Sequence, residues 1–478
     1  MTSADESIPV ASNPPRRPYA MVPLKNWREH VSWPAGLALD RETASEDPLA
    51  IDYLSQQVGN WLLPHLTTRT SSAKYFLVVL FGIDLVHRPS TDANPPKTER
   101  QRIELFERWE RLWAMAVLTS RNGEVRPGDE DAMRGLLGAR RAWSDEGSTL
   151  PLDYPLISRQ SELGGLGAYL SSLRSLGLVQ EHAHAPTKNG ADLVATFLGE
   201  GKTSTQRRTY IESVIFGDSS AIPFSSNGVK LKTLGEVTRL SSIRDNPEQQ
   251  RALGRLLFDA PPKRVQRQVA RLVLDANLAG RTAAREVLQH AIQALSATED
   301  ADHAKVLELC RFALAYGDVA AALLHLFDGL YETLLRSGYQ AELQALANDP
   351  ELGARVVPLL AAVGPFLDQG LLRDFERDFA HTPAFVRCAS DVQGATNEQA
   401  LLAVVALHLD VQKAREFPSG WLRWSGDTLL LQKADYRPRS TDPERLFPRF
   451  KFDVVRRLLI DVGRLPRSNS NQASRGER

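Results

Sequence analysis

Between Leu234 and His381 apolar residues recur at helical spacing with little interruption, in pieces of about 10 to 18 residues. The pieces end at Asn246-Pro247, Pro261-Pro262, Gly280, Gly317, Gly338, Gly364-Pro365 and Gly370. Proline and glycine at these points stop helices, and no alternating period-two pattern lies between them. Such a stretch can bury its apolar faces only against other helices. The piece lengths vary too much for a fixed repeat, so an irregular helical array is predicted. A chain of 478 residues also exceeds a single typical core and predicts two to four domains.

The N-terminal part follows the same logic. Asp47-Pro48 predicts a helix start, with Leu49, Tyr53, Leu54, Val58, Trp61 and Leu62 on one face and Pro64 as its stop. Thr67 to Ser72 forms a connector of capping residues. The run from Tyr75 to Val86, about 12 residues long and carrying Asp84, is too short to span a bilayer and predicts a buried core helix. Thr98 to Thr119 places Ile103, Phe106, Trp109, Leu112, Trp113, Ala116 and Val117 at helical spacing with charges between them. Ser219 to Lys232, with Pro223, Asn227 and Gly228, is the least helical stretch, and Trp421 to Gln432 predicts a β-hairpin around Ser425-Gly426-Asp427. The chain is thus divided into a flexible arm (1–45, with Trp27 and Trp33), a helical domain (46–150), a small module (151–210), an irregular linker (211–235), the helical array (236–395), a helix–hairpin–helix unit (396–463) and a disordered tail (464–478). The fold class is mainly α and multi-domain.

The module has the most recognisable shape. A helix from Gly167 to Leu176 stops at Gly177, where positive φ is expected. Leu178 to Pro186 makes a short two-stranded excursion, and Asn189-Gly190 leads into a second helix from Ala191 to Leu198. From Leu156 to Glu200 this order resembles the winged-helix domains, the winged relatives of helix-turn-helix proteins. The resemblance implies that the helix before the wing faces the major groove, offering Tyr169, Ser171, Ser172, Arg174 and Ser175.

Charge points the same way only locally. Formal net charge is zero, which excludes a global field steering the protein to nucleic acid or membrane. Of the 58 basic residues 46 are Arg, as expected of a GC-rich bacterial genome and useful for bidentate phosphate contact. In the segment from Lys263 to Arg271, Arg264, Arg267 and Arg271 share one helix face opposite Val265, Val269 and Leu272. From Tyr436 to Arg478 there are 11 basic against 5 acidic residues, among them Arg449, Lys451, Arg456 and Arg457. With Arg174 and Lys188 of the module, these form the candidate nucleic-acid-binding set.

Motifs for chemistry are weak. Gly199-Glu200-Gly201-Lys202-Thr203 lacks the first glycine of a P-loop, where Thr196 stands, and follows a helix instead of a strand. Asp192, Glu200 and Lys202 match the acidic-and-lysine pattern of PD-(D/E)XK-like nucleases, which hold a divalent metal between carboxylates. His182 and His184 are expected at a solvent-facing wing tip, and Cys310 and Cys388 as buried thiols. No catalytic residue, cofactor or metal is assigned. Met1 to Pro18 has no apolar core of a signal peptide, so a cytoplasmic protein without a membrane partner is expected. The favoured function is a non-enzymatic nucleic-acid-binding or scaffold subunit, with double-stranded DNA as the expected partner of its local basic patches, working with partner proteins of its own operon. Its general character also resembles components of bacterial mobile-element or antiphage-defence operons. The alternatives are a protein-interaction scaffold with a structural wing, and a divergent metal-dependent nuclease.

Overall fold

The segment AKYFLVVLFGIDLVH has no polar face, and as the Ala73–His87 helix it is buried at each position from Ala73 to Val86. A helix apolar all round must be enclosed by other elements, and here they come from most of the chain. The Glu99–Thr119 helix crosses it, with the Trp109 indole donating to the Val78 carbonyl at 3.0 Å and stacking on Phe81 at 4.9 Å. Gly82 permits that approach, since a Cβ there would lie 2.4 Å from the Trp109 ring. Tyr169 of the Gly165–Ser175 helix packs on Tyr75 and Phe76 at 4.8 and 4.9 Å. The Lys188–Val194 and Phe452–Asp461 helices close the remaining sides.

The computed structural model describes residues 47–89, 98–125, 133–143, 149–297, 301–415, 421–433, 436, 438–440 and 442–467. The predicted N-terminal arm with Trp27 and Trp33 and the tail from residue 468 onwards lie outside them. The protein is mainly α-helical. In the second half, the Ala301–Arg336 helix packs against Ala284–Ser296 on one side and Pro350–Leu367 on another, followed by Thr382–Val392 and Asn397–Ala414. Strands Leu422–Ser425 and Thr428–Leu431 pair antiparallel, and Gln340–Glu342 adds to the outer side of the second one. Buried apolar side chains form one continuous cluster from Leu49 to Leu465, and both cysteines are buried within it. Among the described residues Pro350–Leu367 is the helix whose length and composition would allow it to cross a membrane; Leu352, Val356, Leu359, Val363 and Phe366 are buried against the core.

Several expectations are corrected. The helix expected from Asp47-Pro48 runs Ile51–Leu62, starting three residues later than that pair suggests, because Asp47 folds back to accept from the Tyr53 amide at 3.3 Å. The predicted irregular stretch from Ser219 is largely the Phe224–Thr238 helix. Its Ser, Asn and Gly residues are poor helix formers, yet Leu231, Leu234 and Thr238 are buried against the Glu99–Thr119 helix, where Gly235 comes close to the Ala116 carbonyl. Tertiary packing overrides weak propensity there. The three-residue strands Thr149–Pro151 and Ala221–Pro223, which pair antiparallel, carry no period-two signal and were not expected.

One polar group ties the first helix to the hairpin. His408 is fully buried; its Nδ1 lies 3.0 Å from the Pro48 carbonyl and its Nε2 3.0 Å from the Trp421 amide. A carbonyl only accepts and an amide only donates, so the ring is the neutral Nδ1–H tautomer. Burial holds its pKa down, from 6.5 to about 4. Between these values the unfolded chain binds more protons than the folded one. The contribution to stability is therefore complete above pH 6.5 and is lost as pH falls towards 4. Urea unfolding of the wild type and His408→Gln should show the gap between them narrowing by about 2 kcal/mol from near pH 7.5 to near pH 5. A gap independent of pH would contradict this tautomer and its burial.

Candidate nucleic-acid interface

The Gly165–Ser175 helix is fixed at its start by Glu110. The Gly165 amide donates to Glu110 Oε1 at 2.6 Å and Gln160 Nε2 donates to Oε2 at 3.1 Å, placing a carboxyl at the positive end of the helix. Burial raises that carboxyl to about 7. The helix stops at Gly177, whose φ of 70° requires a residue free of Cβ strain. Beyond it the chain doubles back: Gln180 N donates to the Ala185 carbonyl and Thr187 N to the Leu178 carbonyl, both at 2.9 Å, with Val179 opposite Pro186. Thr187 then caps the Lys188–Val194 helix through the Gly190 amide at 3.2 Å, while its hydroxyl donates to the Gly177 carbonyl at 2.7 Å. That bond holds exposed Lys188 beside the end of the preceding helix.

The side chains offered for base contact are arranged otherwise than expected. Tyr169 and Ser172 are buried, the former accepting from the Ser72 amide at 3.1 Å. Ser171 is exposed, Arg174 and Ser175 half-buried, and Arg174 Nε is buried with no hydrogen-bond partner. Of these five side chains only Ser171 is thus exposed. His184 is not a free wing-tip imidazole, because it pairs with Glu99; His182 is exposed.

His65 joins this end to the arginine stripe. Its Nε2 accepts from the Lys263 amide at 3.4 Å, so Nδ1 carries the hydrogen that Ser175 Oγ accepts at 2.5 Å. The His65 amide donates to Gln266 at 2.7 Å. Burial lowers the His65 pKa, and the charges of Lys263 and Lys451 lower it further. The Arg264–Leu278 helix starts at this junction and buries Val269, Ala270, Val273 and Ala276. Arg264 is exposed, and Arg271 is 83% exposed and only 4.0 Å from Asp275. Arg267 is half-buried and donates to the Pro261 carbonyl, which makes it a brace at the start of the helix.

The C-terminal residues divide. The Phe452–Asp461 helix packs on Arg264–Leu278. On it Arg456 is half-buried and Arg457 is exposed, 3.3 Å from Asp453. Arg449 is exposed, 4.0 Å from the same carboxylate. Lys451 turns inward instead. With φ at 67° it is only 4% exposed, and its ammonium donates to Asn60 Oδ1 at 2.6 Å and to the Leu63 and Leu66 carbonyls at 3.0 and 2.5 Å. These acceptors lie around the end of the Ile51–Leu62 helix, where the backbone dipole favours a cation. Beside it a cleft of about 550 Å³ is lined by Arg439, Arg445 and Arg449 together with Asp52 and Asp453. Arg439 is already engaged by Asp52 at 2.8 and 2.6 Å.

Residues not singled out as a binding set also converge. Lys202, Arg207 and Lys230 line a groove between the Gly201–Ile215 and Phe224–Thr238 helices. The two helices meet only in the folded chain, and the second was not foreseen. Of the nuclease pattern, Asp192 is exposed on the Lys188–Val194 helix, Glu200 is the residue before the Gly201–Ile215 helix and Lys202 is in its first turn. All three are thus on helices or their caps, not on adjacent strands. No group of three or more His, Cys, Asp or Glu fit to hold a metal occurs among the described residues. Comparison with known protein-family models, curated proteins and solved structures finds no match to the chain.

The contrast between Lys451 and its neighbour is measurable. Lys451→Met would leave the buried Leu63 and Leu66 carbonyls and the Asn60 amide oxygen without their donor and is expected to lower the unfolding free energy by about 2–4 kcal/mol. Arg449→Ala, on the surface two residues earlier, should change it by less than about 0.5 kcal/mol. Equal effects in urea unfolding would show that the ammonium cage does not carry stability.

Proposed function

We propose that the protein is a non-enzymatic, DNA-binding subunit whose duplex contact is the corner where Lys188, Arg174, Arg264 and Arg271 meet. The observation that carries this reading is the His65 junction, which holds the end of the Gly165–Ser175 helix against the start of the Arg264–Leu278 helix. It links two basic features that are distant in sequence. On this reading the Leu156–Glu200 module is a winged helix, with Arg449, Arg456 and Arg457 as flanking contacts. Burial of Tyr169 and Ser172 leaves little side chain for base edges, so the contact is to phosphates and tolerant of sequence. The setting would be the bacterial cytoplasm, in an operon-encoded assembly of the antiphage type with partner proteins. Exposed Val357 and Leu402, on two helices away from this corner, favour a second reading as a protein-interaction scaffold.

Binding of a mixed-sequence duplex at two salt concentrations tests the proposal. Affinity should fall steeply with salt, and the triple variant Lys188→Ala/Arg264→Ala/Arg271→Ala should bind more weakly, its log–log salt slope shallower by about 0.9 for each phosphate contact removed. Undiminished binding by the variant would displace the contact from this corner, and no binding at low salt would leave the scaffold reading.

A further inference from the structure

The groove between the Gly201–Ile215 and Phe224–Thr238 helices has a volume of about 810 Å³, within the roughly 300–1,000 Å³ of ligand sites. Its cations are Lys202, Arg207 and Lys230, and no carboxylate is among its lining residues. The cleft at Arg439 differs in this respect, because Asp52 and Asp453 line it with its arginines. Nearby, Asp84 and Glu212 are taken by Arg208, next in sequence to Arg207, at 2.8 and 2.9 Å. Arg207 is held by the Leu198 carbonyl at 2.6 Å, while its Nε is buried with no hydrogen-bond partner. The Tyr210 hydroxyl is likewise buried without a hydrogen-bond partner, and burial pushes its pKa to about 12, so it remains a donor. Lys230 Nζ lies 5.2 Å from the Tyr210 ring centre, and Val229 on the rim is 81% exposed. The lining runs from Lys202 to Ser213 along one helix, about 16 Å at 1.5 Å per residue, which is too extended for a single phosphate.

We propose that this groove binds the phosphodiester backbone of a single-stranded nucleic acid, with Lys202, Arg207 and Lys230 on the phosphates, Tyr210 donating to a phosphate oxygen, and Val229 against a base. Cations that track a backbone beside apolar and aromatic surface are the pattern of sequence-tolerant strand binding. The proposal adds a second nucleic-acid surface to the duplex corner and stands on separate residues.

The test is fluorescence anisotropy of the full chain with a labelled oligothymidylate. Lys202→Ala/Lys230→Ala, both exposed positions, should weaken binding at least about tenfold and reduce the salt slope by about 0.7 per lost contact. Tyr210→Phe keeps the ring and should weaken binding about threefold to tenfold. The Lys188, Arg264 and Arg271 variant should retain strand binding, whatever it does to duplex. Strand affinity unchanged in the Lys202/Lys230 variant, or lost only in the corner variant, would overturn the proposal. So would thymidine monophosphate competing as well per molecule as the oligonucleotide, which would make the groove a mononucleotide site.

Discussion

The molecule depends on enclosing a helix that has no solvent face. Burying Ala73–His87 removes water from the first amides of the helix and from its two charged side chains, and each such group costs free energy unless a partner replaces the water. The partners come from distant parts of the sequence. Asp461 accepts from the Ala73 amide at 3.0 Å, and Tyr169 accepts from Ser72. Lys74 donates to Gln249 and lies 5.2 Å from the Phe197 ring centre. Asp84 is met by Arg88 and Arg208. Burial shifts the groups accordingly, raising Asp461 to about 6 and lowering Lys74 to about 7. Four separate segments are thus fixed by the polar needs of one apolar helix.

This enclosure sets the geometry of the basic corner. Tyr169 can reach Ser72 only if the Gly165–Ser175 helix lies flat on the buried helix, and Glu110 fixes its other end. The same placement hides the face that a groove-reading helix would need. At the end of the helix, His65 ties Ser175 to Lys263 and Gln266. The neutral state of His65 suits its place, since Lys263 and Lys451 already crowd it with positive charge. A protonated imidazole would lose its acceptor at Nε2 and the Lys263 amide bond with it.

Local patterns were legible wherever one element carries its own signal. The run from Tyr75 to Val86 announces a buried helix, the Glu99–Thr119 helix shows its apolar stripe and capping Thr98, and Gly177 marks a stop. What could not be read depends on partners far away in sequence. The Phe224–Thr238 helix is polar and glycine-containing, and only the Glu99–Thr119 helix makes it worth forming. Lys451 between two phenylalanines looks like one more exposed cation of a basic tail, until the end of the Ile51–Leu62 helix supplies three acceptors for it. His65, a lone histidine after Pro64, gives no hint that it joins two basic elements. The arginine stripe was legible as a face, but the bracing role of Arg267 within it was not.

Zero net charge and local positive surfaces are compatible because the carboxylates are unevenly consumed. Arg439 takes Asp52, Arg464 takes Asp259, Arg285 takes Asp318 and Glu444, and Arg208 takes Asp84 and Glu212. These pairs lock elements together and cancel in any field felt outside. The remaining basic side chains set the local potential, among them those at the His65 corner, where Arg271 stands 4.0 Å from Asp275, and Lys202, Arg207 and Lys230 in a groove whose lining has no carboxylate. At physiological ionic strength a field from such a cluster extends about 8 Å. A polyanion would have to come close before either surface attracted it, so contact geometry, more than long-range steering, would govern any such binding.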